Sequence, residues 1–142
     1  MHAAKLHKSQ QDAIDAVLAS YHRCERSGGL FDTFYDLFFA KSPEIPRRFA
    51  HTDMERQKQV VMASLLWVLR VYKGDPVAHA EVSKLAESHS RSGHDVRPEL
   101  YSLWLDALCE SVAKHDPQYT PALESQWRHV MQTGIDLMKS KY

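Results

Sequence analysis

The stretch KLAESHSRSGHDVRPELYSLW, Lys84 to Trp104, decides how this chain is read. Its first half continues a helical pattern in which Ala78, Val82, Leu85 and Ala86 share one face. His89 follows at i+4 from Leu85 and i+7 from Val82, inside that apolar stripe. Glu81, Lys84, Glu87, Ser88 and Arg91 make up the polar face. An imidazole therefore stands where a helix ordinarily buries a leucine. A buried imidazole needs a partner for each ring nitrogen, or it costs stability. Two readings stay open on this helix alone: a core histidine satisfied by a backbone carbonyl, and a metal ligand.

Outward from this stretch, the only sustained periodicity is helical, so the chain is read as all-α. A helix starts near Ser9 with Ala13, Ile14, Val17, Leu18 and Tyr21 on one face, and Gly28-Gly29 ends it. A second runs from about Leu30 to Lys41 with Phe31, Phe34, Tyr35 and Phe38 in line. Pro43 opens a short helical turn that closes at Phe49. Asp53 is the expected N-cap of a long helix with Met54, Val61, Met62, Leu65, Leu69 and Tyr72 inward. Pro76, Pro98 and Pro121 suit first helical positions of three further helices. The result is six substantial helices and one short turn, packed around a common interior.

The chain has 142 residues, the size of one domain, with residues 1–8 expected to be a flexible lead-in. Its 18 basic and 18 acidic side chains balance, which gives no electrostatic case for nucleic acid or an anionic membrane. The longest apolar run, VVMASLLWVL, is too short to span a bilayer. Cys24 and Cys109 form no CxxC pair and fit a reducing cytoplasm, with Cys109 expected in the core and Cys24 nearer the surface. MHAAKLHKSQQDA lacks the apolar core of a signal peptide. Nine histidines is a high count for this length. His22, His115 and His129 sit in charged contexts and read as surface residues.

No second His, Cys, Asp or Glu lies at i+3 or i+4 from His89 on its face, so a zinc site of the HExxH kind is not supported. His94 falls in the linker beyond. One protein ligand is enough, however, where a porphyrin fills the four in-plane positions. Four segments then form a pattern: FYDLFFAKSPEIPRRF (Phe34 to Phe49), TDMERQKQVV (Thr52 to Val61), LAESHSRSG (Leu85 to Gly93) and RPELY (Arg97 to Tyr101). In this order and spacing the chain resembles the globin family, specifically the bacterial single-domain, myoglobin-like globins, from about Ser9 to Ser140. The resemblance implies a three-on-three helical sandwich around a haem pocket, with haem b as cofactor.

The resemblance also implies roles for particular residues. His89 would be the proximal ligand of the iron, its other N–H held by the Leu85 carbonyl, with Ser88 sharing that role or reaching a propionate. Phe49 would pack flat against the porphyrin, and Val61, Leu85, Val96 and Tyr101 would line its pocket. Aligned backwards from His89, the distal position falls on Gln57, with Lys58 as the rival register. Tyr35 would point into the same distal space, so that a phenol and an amide donate hydrogen bonds to bound dioxygen. No distal histidine is present, since none lies between His51 and His79; His51 is the one histidine near enough to be weighed as a sixth ligand.

Three functions follow from the resemblance. The first is reversible binding of dioxygen, carbon monoxide or nitric oxide at a five-coordinate iron. The second is an enzyme of the nitric oxide dioxygenase or peroxidase type. No GxGxxG segment is present, so turnover would need a separate reductase. Tyr101 matches a proximal tyrosine of flavohaemoglobin-like proteins, but no glutamate partner is found for it, which lowers the peroxidase reading. The third is a gas sensor acting through a partner. Either a monomer or a homodimer is compatible with the sequence.

Overall fold

The computed structural model describes residues 6–142. It contains α1 (Lys8–Ser27), α2 (Leu30–Ala40), α3 (Glu44–Arg48), α4 (Met54–Tyr72), α5 (Pro76–Ser88), α6 (Pro98–His115) and α7 (Pro121–Ser140), with no strand among the described residues. Of the stretch expected to be flexible, residues 1–5 lie outside the described residues, and Lys8 already belongs to α1.

The helix boundaries follow from local chemistry. The Asp53 carboxylate accepts from the Glu55 and Arg56 N–H groups, at 3.1 and 3.3 Å, and opens α4. Asp75 does the same for Val77, at 2.9 Å, and Pro76 takes the first position of α5. Thr120 accepts from Leu123 at 3.1 Å ahead of Pro121. At the end of α1 the chain needs two consecutive residues of positive φ, 78° and 79°, and Gly28 and Gly29 supply them.

The six longer helices sort into two layers. α4 packs on α5, and α2 packs on α6. α7 is the hub, touching α1, α4, α5 and α6. Layered this way, α1, α4 and α5 face α2, α6 and α7. Phe34, Ile14, Trp127, Leu108 and Met131 are fully buried where the layers meet. Each such side chain contributes roughly 1.5–3 kcal/mol by leaving water.

One polar knot is sealed into this core. Asp116 accepts from Arg23 Nε at 2.6 Å and Nη2 at 2.9 Å, and from the Gln118 N–H at 2.9 Å. It also accepts from the Ser20 hydroxyl at 2.6 Å, and Ser20 in turn accepts from the Trp127 indole at 3.0 Å. α1 is thereby fastened to the end of α6 and to α7. Burial acts to raise the Asp116 pKa, but Arg23, Ser20 and the Gln118 N–H together hold it below the usual value.

Two expectations need correction. Cys24 is fully buried rather than near the surface. Its position, i+7 from Val17 and i+3 from Tyr21, continues the apolar stripe of α1, and burial pushes its thiol up to about 12. His115 is not a free surface residue. It is half-buried, with one ring nitrogen on the Ser27 hydroxyl at 2.8 Å and the other on Thr33 at 2.7 Å.

Candidate functional site

The two layers leave an apolar cavity of about 590 Å³, bounded by α2, α3, α4, α5, α6 and α7. That volume is in the range of sites that enclose a drug-sized or cofactor-sized molecule. Its polar lining is sparse: Tyr35, Arg48, Gln57, Ser64, His89, His94 and Tyr101.

On one wall, α5 ends at His89, whose own N–H closes the last turn on the Leu85 carbonyl at 3.1 Å. The same carbonyl lies 2.8 Å from His89 Nδ1 and accepts from the Ser88 hydroxyl at 2.8 Å. Nδ1 therefore donates, and Nε2 carries the bare lone pair. Nε2 makes no hydrogen bond among the described residues, yet no buried side-chain polar atom is left without a partner. The free nitrogen therefore opens onto the cavity. Burial lowers the His89 pKa, the Leu85 bond opposes this, and His94 adds to the lowering, so the ring is neutral at pH 7. His94 stands edge-on to His89 with ring centroids 6.0 Å apart.

α2 and α4 contribute further lining. Tyr35 is buried, edge-on to Phe34 at 4.9 Å and to Phe49 at 5.7 Å. Burial raises its pKa, and the neighbouring Gln57 amide pulls the other way without completing a well-formed hydrogen bond. Both side chains line the cavity, with Val61 beside them. Lys58, the rival register, is turned outward: its ammonium lies 2.6 Å from Asp32 and 2.7 Å from Glu55. Adjacent residues on a helix point about 100° apart, so only one of the pair can face inward.

Phe49, Leu85, Val96 and Tyr101 also line the cavity. Burial pushes the Tyr101 phenol up to about 12. Ser88 lies off the lining and acts on the His89 ring instead, its hydroxyl 3.1 Å from Nδ1. His51 is exposed and off the lining, so the structure gives no support to it as a second ligand.

Several lining residues were not among the candidate site residues. Arg48 and His94 stand where the cavity meets solvent, and Trp104, Ile135, Met138 and Gly134 complete its floor. Trp104, Gly134 and Met138 already lie on the apolar stripes that the helical period gives for α6 and α7, but nothing in that period separates a cavity wall from ordinary core. Arg48 had no such signal.

An α protein of seven helices among the described residues, with a histidine at the end of α5, and a tyrosine and a glutamine from α2 and α4, lining one apolar cavity, defines a class of helical sandwich. Residues 32–137 match the family described as Globin. A crystal structure from Pseudomonas aeruginosa PAO1, of a protein described as structurally highly homologous to a human hemoglobin, superposes with a TM-score of 0.85. That protein is 44% identical, over 92% of this chain and 98% of its own. No curated protein sequence matches the chain. The chain belongs to the globin family and has the all-α globin fold.

Proposed function

We propose that this domain binds haem b in the central cavity and reversibly takes up dioxygen or another diatomic gas there. The observation that carries the reading is His89: a neutral imidazole whose free Nε2 faces an apolar cavity of fitting size. When bound, haem supplies an iron with one coordination position left for a gas molecule.

The chain's own residues do the rest. Leu85 and Ser88 fix the His89 tautomer and ring orientation, which keeps Nε2 available as a ligand. Phe49, Val61 and Val96 exclude water from the cavity. Arg48 and His94, exposed residues on the cavity lining, would supply the polar groups that hold the carboxylates of a porphyrin. Tyr35 and Gln57 would present O–H and N–H donors to a polar diatomic ligand on the side facing His89. Two such donors favour retention, so oxygen storage or carriage is the reading we adopt, with any re-reduction supplied by a separate protein. The two buried free thiols fit a reducing compartment, the cytoplasm.

The test is the absorption spectrum of the haem-reconstituted protein, ferric, ferrous and with carbon monoxide, for wild type and His89→Ala. A five-coordinate ferrous spectrum that converts to a carbon monoxide complex, lost or altered in the variant, is expected. A wild type that takes up no stoichiometric haem would return His89 to an ordinary core histidine.

A further inference from the structure

The segment that joins α5 to α6 carries His89 at its start and buries almost nothing. Arg91, Ser92, Gly93, His94 and Asp95 are exposed, and only Val96 packs on the core. The segment folds onto itself: the His94 N–H donates to Ser88 and the Val96 N–H to His89, both at 2.9 Å. Gly93 is required there, since a Cβ would lie 2.4 Å from the Ser88 carbonyl oxygen.

What fastens this loop to the rest of the molecule is polar. Arg48 donates from Nη1 to the His94 carbonyl and from Nη2 to the Asp95 carbonyl, both at 2.9 Å. Glu44 pairs with Arg97 beyond the loop and with Arg48 at 3.2 Å. From the other side the Tyr142 hydroxyl donates to Asp95 Oδ1 at 2.6 Å, and the Arg91 guanidinium lies 4.8 Å above the Tyr142 ring. α3, which carries Glu44 and Arg48, packs chiefly on α2 and leads straight into Phe49. The segment before Phe49 and the His89 loop are thus joined at the solvent edge by side-chain bonds to backbone.

We infer that Arg48, supported by Glu44 and Tyr142, is a latch on the His89 loop that sets how fast a bound haem leaves the cavity. This deepens the haem reading above and rests on it. A planar molecule of that size leaves only when a wall opens, and the wall with the least buried apolar surface opens most readily. Charge-assisted bonds to carbonyls are the stronger kind, and a planar guanidinium fork reaches two carbonyls from two nitrogens, a geometry that the single nitrogen of an ammonium does not reproduce. Arg48 acts here as a positioning residue.

Two measurements test the latch on wild type, Arg48→Lys, Arg48→Gln and Tyr142→Phe. The first is haem loss from the ferric holoprotein to excess apomyoglobin, followed by absorbance. The second is hydrogen exchange of residues 89–97 in the haem-free chain. Both Arg48 variants are expected to lose haem at least about tenfold faster, with Tyr142→Phe intermediate. Loop exchange should rise in the same order. Arg48→Lys keeps the positive charge at the cavity edge. If it also kept the wild-type loss rate, Arg48 would be a counter-charge for the carboxylates and the latch would be overturned. Unchanged loop exchange in the haem-free variants would overturn it as well. A wild type that holds haem while all variants match it refutes the latch alone; a wild type that takes up none refutes the haem reading and the latch with it.

Discussion

Gly134 → Ala tests the packing that shapes the cavity. Gly134 is buried on α7 where it crosses α4. A Cβ added there would lie 2.6 and 2.9 Å from the two Val68 methyl carbons and 3.2 Å from its Cβ. Carbon atoms pack at about 3.5–4.0 Å, so α4 and α7 would have to part by about 1 Å. Val68 cannot turn aside, because a β-branched side chain in a helix holds essentially one rotamer. Overpacking of this kind costs about 1–3 kcal/mol, while alanine returns up to about 1 kcal/mol of helix propensity. The variant should therefore lose about 1–2 kcal/mol in urea unfolding of the haem-free protein, followed by far-ultraviolet circular dichroism. Val68→Ala removes both methyls, so the double variant should be more stable than the two single losses summed would allow. Both residues line the cavity, so the single variant should also weaken haem uptake. A Gly134→Ala protein as stable as wild type, with no coupling to Val68→Ala, would refute the close-approach argument.

Three further outcomes follow from the geometry. Asp116→Asn should cost about 3 kcal/mol at neutral pH, because it leaves the largely buried Arg23 guanidinium without its counter-charge. The folded-state pKa of Asp116 is depressed, so its contribution is present above the ordinary carboxylate value of about 3.9 and is lost as pH falls through the folded pKa. Urea titrations across that range should show the wild-type and variant curves converging on acidification; parallel curves would remove Asp116 as the source. Tyr35→Phe and Gln57→Leu should each speed oxygen release from the ferrous protein by about tenfold, read by stopped-flow displacement with carbon monoxide. Unchanged release rates in both would place the two donors away from the bound gas. Cys24 and Cys109 are buried with thiols pushed up to about 12 and about 11, so neither should react with a thiol reagent until the protein unfolds.

The fold was legible because each helix announces its own ends. Gly28-Gly29, Asp53, Asp75-Pro76 and Thr120-Pro121 act through neighbours a few residues away, and local chemistry is what a sequence displays. Burial along a stripe is nearly as local, and Cys24 was misplaced only because the α1 stripe was taken to stop at Tyr21. Contacts between distant segments are different in kind. Nothing near Gly134 says that Val68 will press against it, and nothing near Arg48 says that its fork will close on carbonyls 46 and 47 residues away. Likewise, the Gln57 and Lys58 registers differ by one step of a helix, and Asp32, on another helix, helps to draw the ammonium outward.

The place of His89 on the cavity lining has a local physical reason. It stands at the C-terminus of α5, where its own N–H closes the last turn on the Leu85 carbonyl. The Leu85 carbonyl is one turn back, within reach of Nδ1, and the partial negative charge of a helix end favours a donor there. Local backbone geometry alone thus fixes which nitrogen holds the proton and turns the other toward the interior. The Tyr35 and Gln57 lining has no such local device. Tyr35 and Gln57 come from two helices, and their shared place on the cavity lining depends on how α2 and α4 pack. The side that would hold the iron is therefore encoded within a few residues. The side that would tune the gas is encoded only by the whole fold, and substitutions in α2 or α4 that spare His89 should change gas affinity before they change haem binding.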